Sequence, residues 1–147
     1  MKIKIAWIGK TKNPAIQALT HEYLKRISRY TEVEGLALTH ESALLKLRDK
    51  RGARPAHTVV LLDAGGRPLS SEDFAQFLQN HQDRSPQPLV LAVGPADGFS
   101  DEARQAATAV LSLGKMTLAH ELARVVLLEQ VYRAFTILKG HPYHSGH

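Results

Sequence analysis

A mostly parallel α/β sheet with flanking helices, in a single domain covering residues 1–147, is the fold this sequence predicts. Three observations predict it. Short alternating or wholly apolar runs recur along the chain and are separated by segments of helical period, the pattern of strand–helix–strand units. Glycine-rich turns follow several of the apolar runs. The chain has 147 residues, 44% of them hydrophobic, enough for one buried core.

Lys2 to Ile8 alternates, with Ile3, Ile5 and Trp7 on one face, and reads as a strand. Gly9 ends it. Asn13 is a good N-cap and Pro14 suits the first helical position, so a helix is expected from there to about Ser28, with Ile16, Leu19, Tyr23 and Ile27 as its apolar stripe. Val33 to Thr39 is a second strand. Glu41 to about Arg51 is expected to be helical, with Lys46, Arg48, Lys50, Arg51 and Arg54 forming a solvated basic cluster. The β-branched run Thr58 to Leu62 reads as a buried strand that ends at Asp63, with Ala64-Gly65-Gly66 as its turn.

Ser70 to Asp73 resembles a capping box for a helix carrying Phe74, Phe77 and Leu78. Leu89 to Val93 is another buried strand, followed by the tight turn Gly94-Pro95-Ala96-Asp97-Gly98. Ser100 caps the next helix, and Asp101 and Glu102 suit its first turn. Val110 to Leu113 is the last strand. After the loop from Gly114 to Thr117, a long helix is expected from about His120 to Lys139, with Leu122, Val125, Leu128, Tyr132, Phe135 and Leu138 as its apolar stripe. The tail His141-Pro142-Tyr143-His144 follows Gly140.

Composition narrows the function. No cysteine is present, which excludes disulfides, thiolate metal sites and a cysteine nucleophile, and fits a reducing cytoplasm. No signal peptide and no run of roughly 20 apolar residues is seen, so no membrane partner is expected. The net charge of +5 and pI near 9.6 suit a polyanionic partner such as RNA. Neither the phosphate-loop nor the dinucleotide glycine fingerprint occurs. The His-Pro-Tyr-His tail lacks metal-ligand spacing, so no metal is expected.

Ligands of open α/β sheets bind at the carboxyl ends of strands. Three such ends are rich in small residues: Leu62 to Gly66, Val93 to Gly98, and Leu113 to Leu118. Together they are suited to cradle one small ligand through backbone groups. Asp97 reads as a helix-dipole partner sooner than as a catalytic carboxylate. Arg124 and Arg133 suit RNA phosphate, or else pair with Glu121 and Glu129 on the helix surface. Histidine and tyrosine in the tail suit stacking on a base.

The stretch from Leu111 to Phe135, ending in Gly140-His141-Pro142-Tyr143-His144, resembles the bacterial ribosomal RNA large-subunit methyltransferase H family. The likeness extends to the opening MKIKIAWIGK and the central Leu62-Asp63 turn. It implies a SPOUT-type fold with a C-terminal trefoil knot, a homodimer with cofactor pockets near its interface, and methyl transfer from S-adenosylmethionine to N3 of a pseudouridine in 23S rRNA on the ribosome. It places cofactor contacts at Leu62, Gly94, Leu113, Gly114, Lys115, Met116, Thr117 and Leu118, and puts Tyr143 and His144 near the target base. Arg133 is added to them as a candidate catalytic residue.

Two departures stand out. Gly94-Pro95 replaces the family's usual pair of glycines and brings Val93 to Ser100 close to the 16S rRNA uridine-N3 methyltransferases, which are longer. Ser145 stands where the family commonly has a cation.

Overall fold

A computed structural model describes residues 1–51 and 54–144; for residues 50, 51, 54, 55 and 144 it describes the backbone alone. The chain opens with strand β1 (Lys2–Ile8), helix α1 (Pro14–Ile27), strand β2 (Glu32–Leu38) and the short helix α2 (Glu41–Leu45). A one-turn 3-10 helix (Lys46–Arg48) and the two-residue strands β3 (Lys50–Arg51) and β4 (Arg54–Pro55) follow. Then come β5 (Thr58–Pro68), α3 (Ser71–Arg84), β6 (Leu89–Val93), α4 (Asp101–Ala106), β7 (Ala109–Ser112), α5 (His120–Lys139) and a final 3-10 turn (Pro142–His144).

Five strands form one sheet in the order β2-β1-β6-β5-β7, and every neighbouring pair is parallel. Alternation within the strands sends side chains to two faces. On one face Ile3, Ile5, Trp7, Val60, Leu62, Leu89, Leu91 and Val93 pack against the buried sides of α1, α3 and α5. On the other, Ala6, Ile8, Val59, Leu61, Val90 and Ala92 meet Leu44 of α2 and Phe99 and Ala103 beside and within α4. The result is a three-layer α/β/α arrangement, with α5 lying between α1 and α3.

Local chemistry sets most helix starts. The Asn13 side chain accepts from the Ala15 amide at 2.8 Å. Ser70 accepts from Asp73 at 3.0 Å and Ser100 from Ala103 at 3.1 Å. Gly140 ends α5 in the left-handed region at φ +69°, as helix ends often do.

Four expectations are corrected. The helix expected to run to about Arg51 ends at Leu45 and passes through the 3-10 turn into β3. Arg48 there donates to the Ala106 carbonyl and is no free surface cation; the side chains of Lys50, Arg51 and Arg54 lie outside the described residues. Ala64-Gly65-Gly66 does not end β5, which continues to Pro68. Leu62 and Arg67 both pair with Leu111, so residues 63–66 are extruded as a bulge. A Cβ at Gly66 would lie 2.7 Å from the Leu111 backbone, so this close approach needs glycine. Finally, Leu19 and Leu122, expected in apolar stripes, are exposed. The buried face of α5 is set by its two neighbouring helices and uses Leu127, Leu128, Val131, Ala134 and Phe135.

Candidate functional site: a cleft at one end of the sheet

The parallel order brings the carboxyl ends of β5, β6 and β7 side by side, in front of the N-terminus of α5. They enclose a cleft of about 270 Å³. Leu62, Asp63 and Ala64 come from β5, Val93 to Phe99 from the turn after β6, and Leu113, Gly114, Met116, Thr117 and Leu118 from the loop after β7. Arg104 of α4 and His120 and Ala123 of α5 complete it. Seven of the eight sequence-derived cofactor positions therefore line one cavity. Lys115 is the eighth; it lies in the same loop but is not part of the lining.

Glycine geometry shapes the cleft. A Cβ at Gly94 would stand 3.2 Å from the Phe99 ring, so the loop after β6 folds tightly over that ring. Its turn is closed by Gly98 N–H donating to the Pro95 carbonyl at 2.9 Å. At Gly114, with φ +148°, no atom lies within 4 Å of where a Cβ would be. That open space is what a ligand pressed against the loop backbone requires. The Ser112 hydroxyl pins the loop, accepting from the Gly114 amide at 3.0 Å and donating to its carbonyl at 2.7 Å.

The first turns of α5 anchor this end of the molecule. The Glu121 carboxylate accepts from the amides of Lys12 and Asn13 at 2.9 and 3.2 Å, and these bonds hold it below the usual carboxylate range. Arg124 is only 1% exposed. It donates to Thr11 Oγ1 at 2.7 Å and to the carbonyls of Ile8 and Gly9 at 3.2 and 3.4 Å, and stacks over Trp7. Burial lowers its affinity for the proton, yet a guanidinium remains charged. Arg124 therefore meets neither RNA phosphate nor solvent. It is a buried clamp between α5 and the loop after β1.

The tail lies elsewhere. Tyr143 packs edge-on against Tyr132, centroids 4.7 Å apart, and donates to Glu129 Oε2 at 2.9 Å. Arg133 pairs with the same carboxylate at 2.8 Å and stands over the Tyr143 ring at 5.2 Å, so it is an intrahelical partner of Glu129. Tyr23, Tyr30, Phe135, Arg26 and His141 extend the cluster. Burial, with hydrogen bonds to Tyr23 and Glu129, pushes the Tyr143 phenol far above its ordinary value. At neutral pH it is a hydrogen-bond donor. The backbone of His144 belongs to the final 3-10 turn; its side chain, and all of Ser145, lie outside the described residues. α5 has 20 residues, so about 30 Å of helix separates the tail from the cleft within one chain.

Sequence reasoning missed the ion pair between Asp63 and Arg104, 3.0 Å apart on the cleft wall. Nothing in the local sequence links the two; only the adjacency of the β5 and β6 ends does. Among the described residues, no three His, Asp or Glu side chains come together to hold a metal. No helix among them is long and apolar enough to cross a membrane.

The family model described as a predicted SPOUT methyltransferase matches residues 1–144. The chain belongs to this family. A relative from Koribacter versatilis, named ribosomal RNA large subunit methyltransferase H, is 58% identical over 147 residues, covering all of both chains. Among solved structures, a probable rRNA-methyltransferase from Porphyromonas gingivalis superposes with a TM-score of 0.56 at 16% identity, covering 93% of this chain and 69% of its own. A Legionella pneumophila protein assigned as a methyltransferase, in complex with the bound cofactor SAM, superposes with a TM-score of 0.51 at 16% identity over 91% of this chain and 66% of its own. These two likenesses show that the fold is shared.

Proposed function

We propose that this chain transfers a methyl group from S-adenosylmethionine to N3 of a pseudouridine in 23S rRNA, on the ribosome, as a cytoplasmic homodimer. The observation that carries the reading is the convergence of three strand ends on one cleft in a SPOUT methyltransferase. The cleft volume of about 270 Å³ lies just below the roughly 300–1,000 Å³ of most ligand pockets, and the cleft opens to solvent where the substrate must approach. Leu62, Leu113 and Leu118 would enclose adenine, with backbone groups of Gly94 and the loop from Leu113 to Leu118 reading its edge. Lys115 would take part through its backbone. When bound, the cofactor supplies an electrophilic methyl carbon.

The chain's own work is alignment and proton removal. N3 of pseudouridine is an imide N–H between two carbonyls and must lose its proton. Tyr143, kept protonated, would hold one of those carbonyls by turning its single O–H from Glu129 to the base, and Arg133 fixes the Glu129 carboxylate that orients it until then. His144 is then the candidate base, since imidazole titrates near neutrality.

A site built this way needs both ends of α5, which one chain holds about 30 Å apart. A second copy resolves this if its tail reaches the first copy's cleft. The exposed apolar side chains near the cleft support that pairing: Met116 is 84% exposed, Leu122 52% and Leu118 40%, with Leu19 on the neighbouring helix at 42%. Isolated apolar residues are ordinary on a surface, but several together at one end mark a contact. The trefoil knot implied by the resemblance belongs to the same reading.

Mass spectrometry of 23S rRNA tests it. Cells lacking the protein should carry one pseudouridine without its methyl group, and restoring the gene should return it. A methyl group missing from a different nucleotide, or from none, overturns the reading.

A further inference from the structure

Besides backbone and apolar groups, the cleft wall carries Asp97, Thr117, His120 and the Asp63–Arg104 pair. The Asp63 side chain is 10% exposed and that of Arg104 42%. Both Asp63 oxygens are engaged, Oδ1 by the Gly65 amide at 2.8 Å and Oδ2 by Arg104 Nη2 at 3.0 Å. Gly98 closes over the carboxylate, since a Cβ there would lie 3.8 Å from Oδ2. The carboxylate is thus a fixed anchor with no lone oxygen left to face a ligand.

The guanidinium is different. It has five N–H donors, and among the described residues its side chain makes one hydrogen bond, to Asp63. Asp101, at 3.9 Å, is beyond hydrogen-bond reach. Arg104 is also the only lysine or arginine among the described residues that lines the cleft.

We propose that Arg104, oriented by Asp63, binds the carboxylate of the methyl donor's amino-acid tail, so that the cleft selects an intact tail and not the adenosine half alone. The inference rests on the methyl-donor reading of the cleft. An anionic group entering a cavity whose wall already holds the carboxylates of Asp63 and Asp97 is unfavourable unless a charged donor meets it. The donor must also be held at the right angle, and the bulge that extrudes residues 63–66 places Asp63 where it can hold it. Asp63 is a positioning residue; Arg104 makes the contact.

Calorimetry with two probes tests this. S-adenosylhomocysteine carries the tail; 5′-methylthioadenosine shares the adenosine and the thioether but lacks it. The unaltered protein should bind the first more tightly. Arg104→Met should weaken S-adenosylhomocysteine about 10-fold or more, the scale of one charge-assisted hydrogen bond, and leave methylthioadenosine within about 2-fold. Arg104→Lys should restore part of the preference, and Asp63→Asn should lose part of it.

Equal weakening of both probes by Arg104→Met would overturn the assignment, because the arginine would then only shape the wall. So would no change in either, which would leave its guanidinium facing RNA phosphate. If the unaltered protein binds neither probe, the methyl-donor reading itself fails.

Discussion

The two ends of α5 are built by opposite means. Around its N-terminus the working surface is loop backbone and glycine, with exposed apolar side chains beside it, and the helix is tied down by the buried cation Arg124 and the carboxylate Glu121. Around its C-terminus the surface is side chain. All four tyrosines of the chain gather there with Phe135, His141, Arg26 and Arg133. Backbone suits a ligand that every member of a cofactor class shares, because it recognises the ligand without depending on side-chain identity. Aromatic and polar side chains suit a base that must be stacked and oriented. The cleft end is open and the tail end packed, so the contrast between them is physical before any function is assigned.

The largest expected effect tests whether the two ends meet across subunits. Removing residues 141–147 should lower methyl transfer at least about 100-fold, the scale of a misplaced reacting group, while S-adenosylhomocysteine still binds. Ala64→Trp should fill the cleft of an intact-tailed chain and abolish binding at little cost to folding, since Ala64 is exposed on the cleft wall. Neither chain alone should be active. Mixed and refolded together, random pairing makes about half the dimers mixed, each with one complete site, so about a quarter of the original activity should return. A silent mixture would show that the tail does not serve the partner's cleft.

How much of this is legible in the sequence follows from how local each feature is. Strand β1 and the caps Asn13, Ser70 and Ser100 are settled within a few residues, and the sequence reports them directly. The gathering of strand ends was legible too, because α/β topology converts a list of glycine-rich turns into neighbours. The bulge at residues 63–66 was not. Gly65-Gly66 looks like a turn, and only the Leu111 backbone at 2.7 Å from a would-be Gly66 Cβ shows why the chain stays extended there. The sequence presents Arg124 as a surface cation because its partners, Ile8, Gly9 and Thr11, are more than a hundred residues away. Arg133 was legible as one of two alternatives, since its partner Glu129 is one turn away.

The two arginines of α5 sharpen the same contrast. Arg124→Ala leaves the Ile8 and Gly9 carbonyls without a donor and uncovers Trp7, which should cost about 3 kcal/mol, the upper part of the ordinary range. Arg133→Ala breaks an ion pair whose partners are 25% and 21% exposed, and should cost about 1 kcal/mol or less. Urea unfolding of both variants measures this directly. Equal losses would mean that the cleft end is no more dependent on one buried group than the tail end is on its cluster.

The smallest effect concerns the Tyr143 hydroxyl. Tyr143→Phe keeps the ring against Tyr132 and removes the bond to Glu129, which should cost about 1 kcal/mol at neutral pH. The alkaline limb is more telling. Burial raises the folded-state value of the phenol above the roughly 10 of an unfolded tyrosine. Below pH about 10 both states hold the proton, and the stabilisation by the hydroxyl is fully present. Above it the unfolded chain releases a proton that the folded chain retains, so stability falls as pH rises. The unaltered protein should therefore lose stability more steeply than Tyr143→Phe between about pH 10 and 11.5. Burial also raises the Tyr30 phenol, so the variant should retain some alkaline sensitivity. Parallel curves would mean that the Tyr143 phenol ionises as freely folded as unfolded. It would then no longer be the fixed donor on which the tail's proposed role depends.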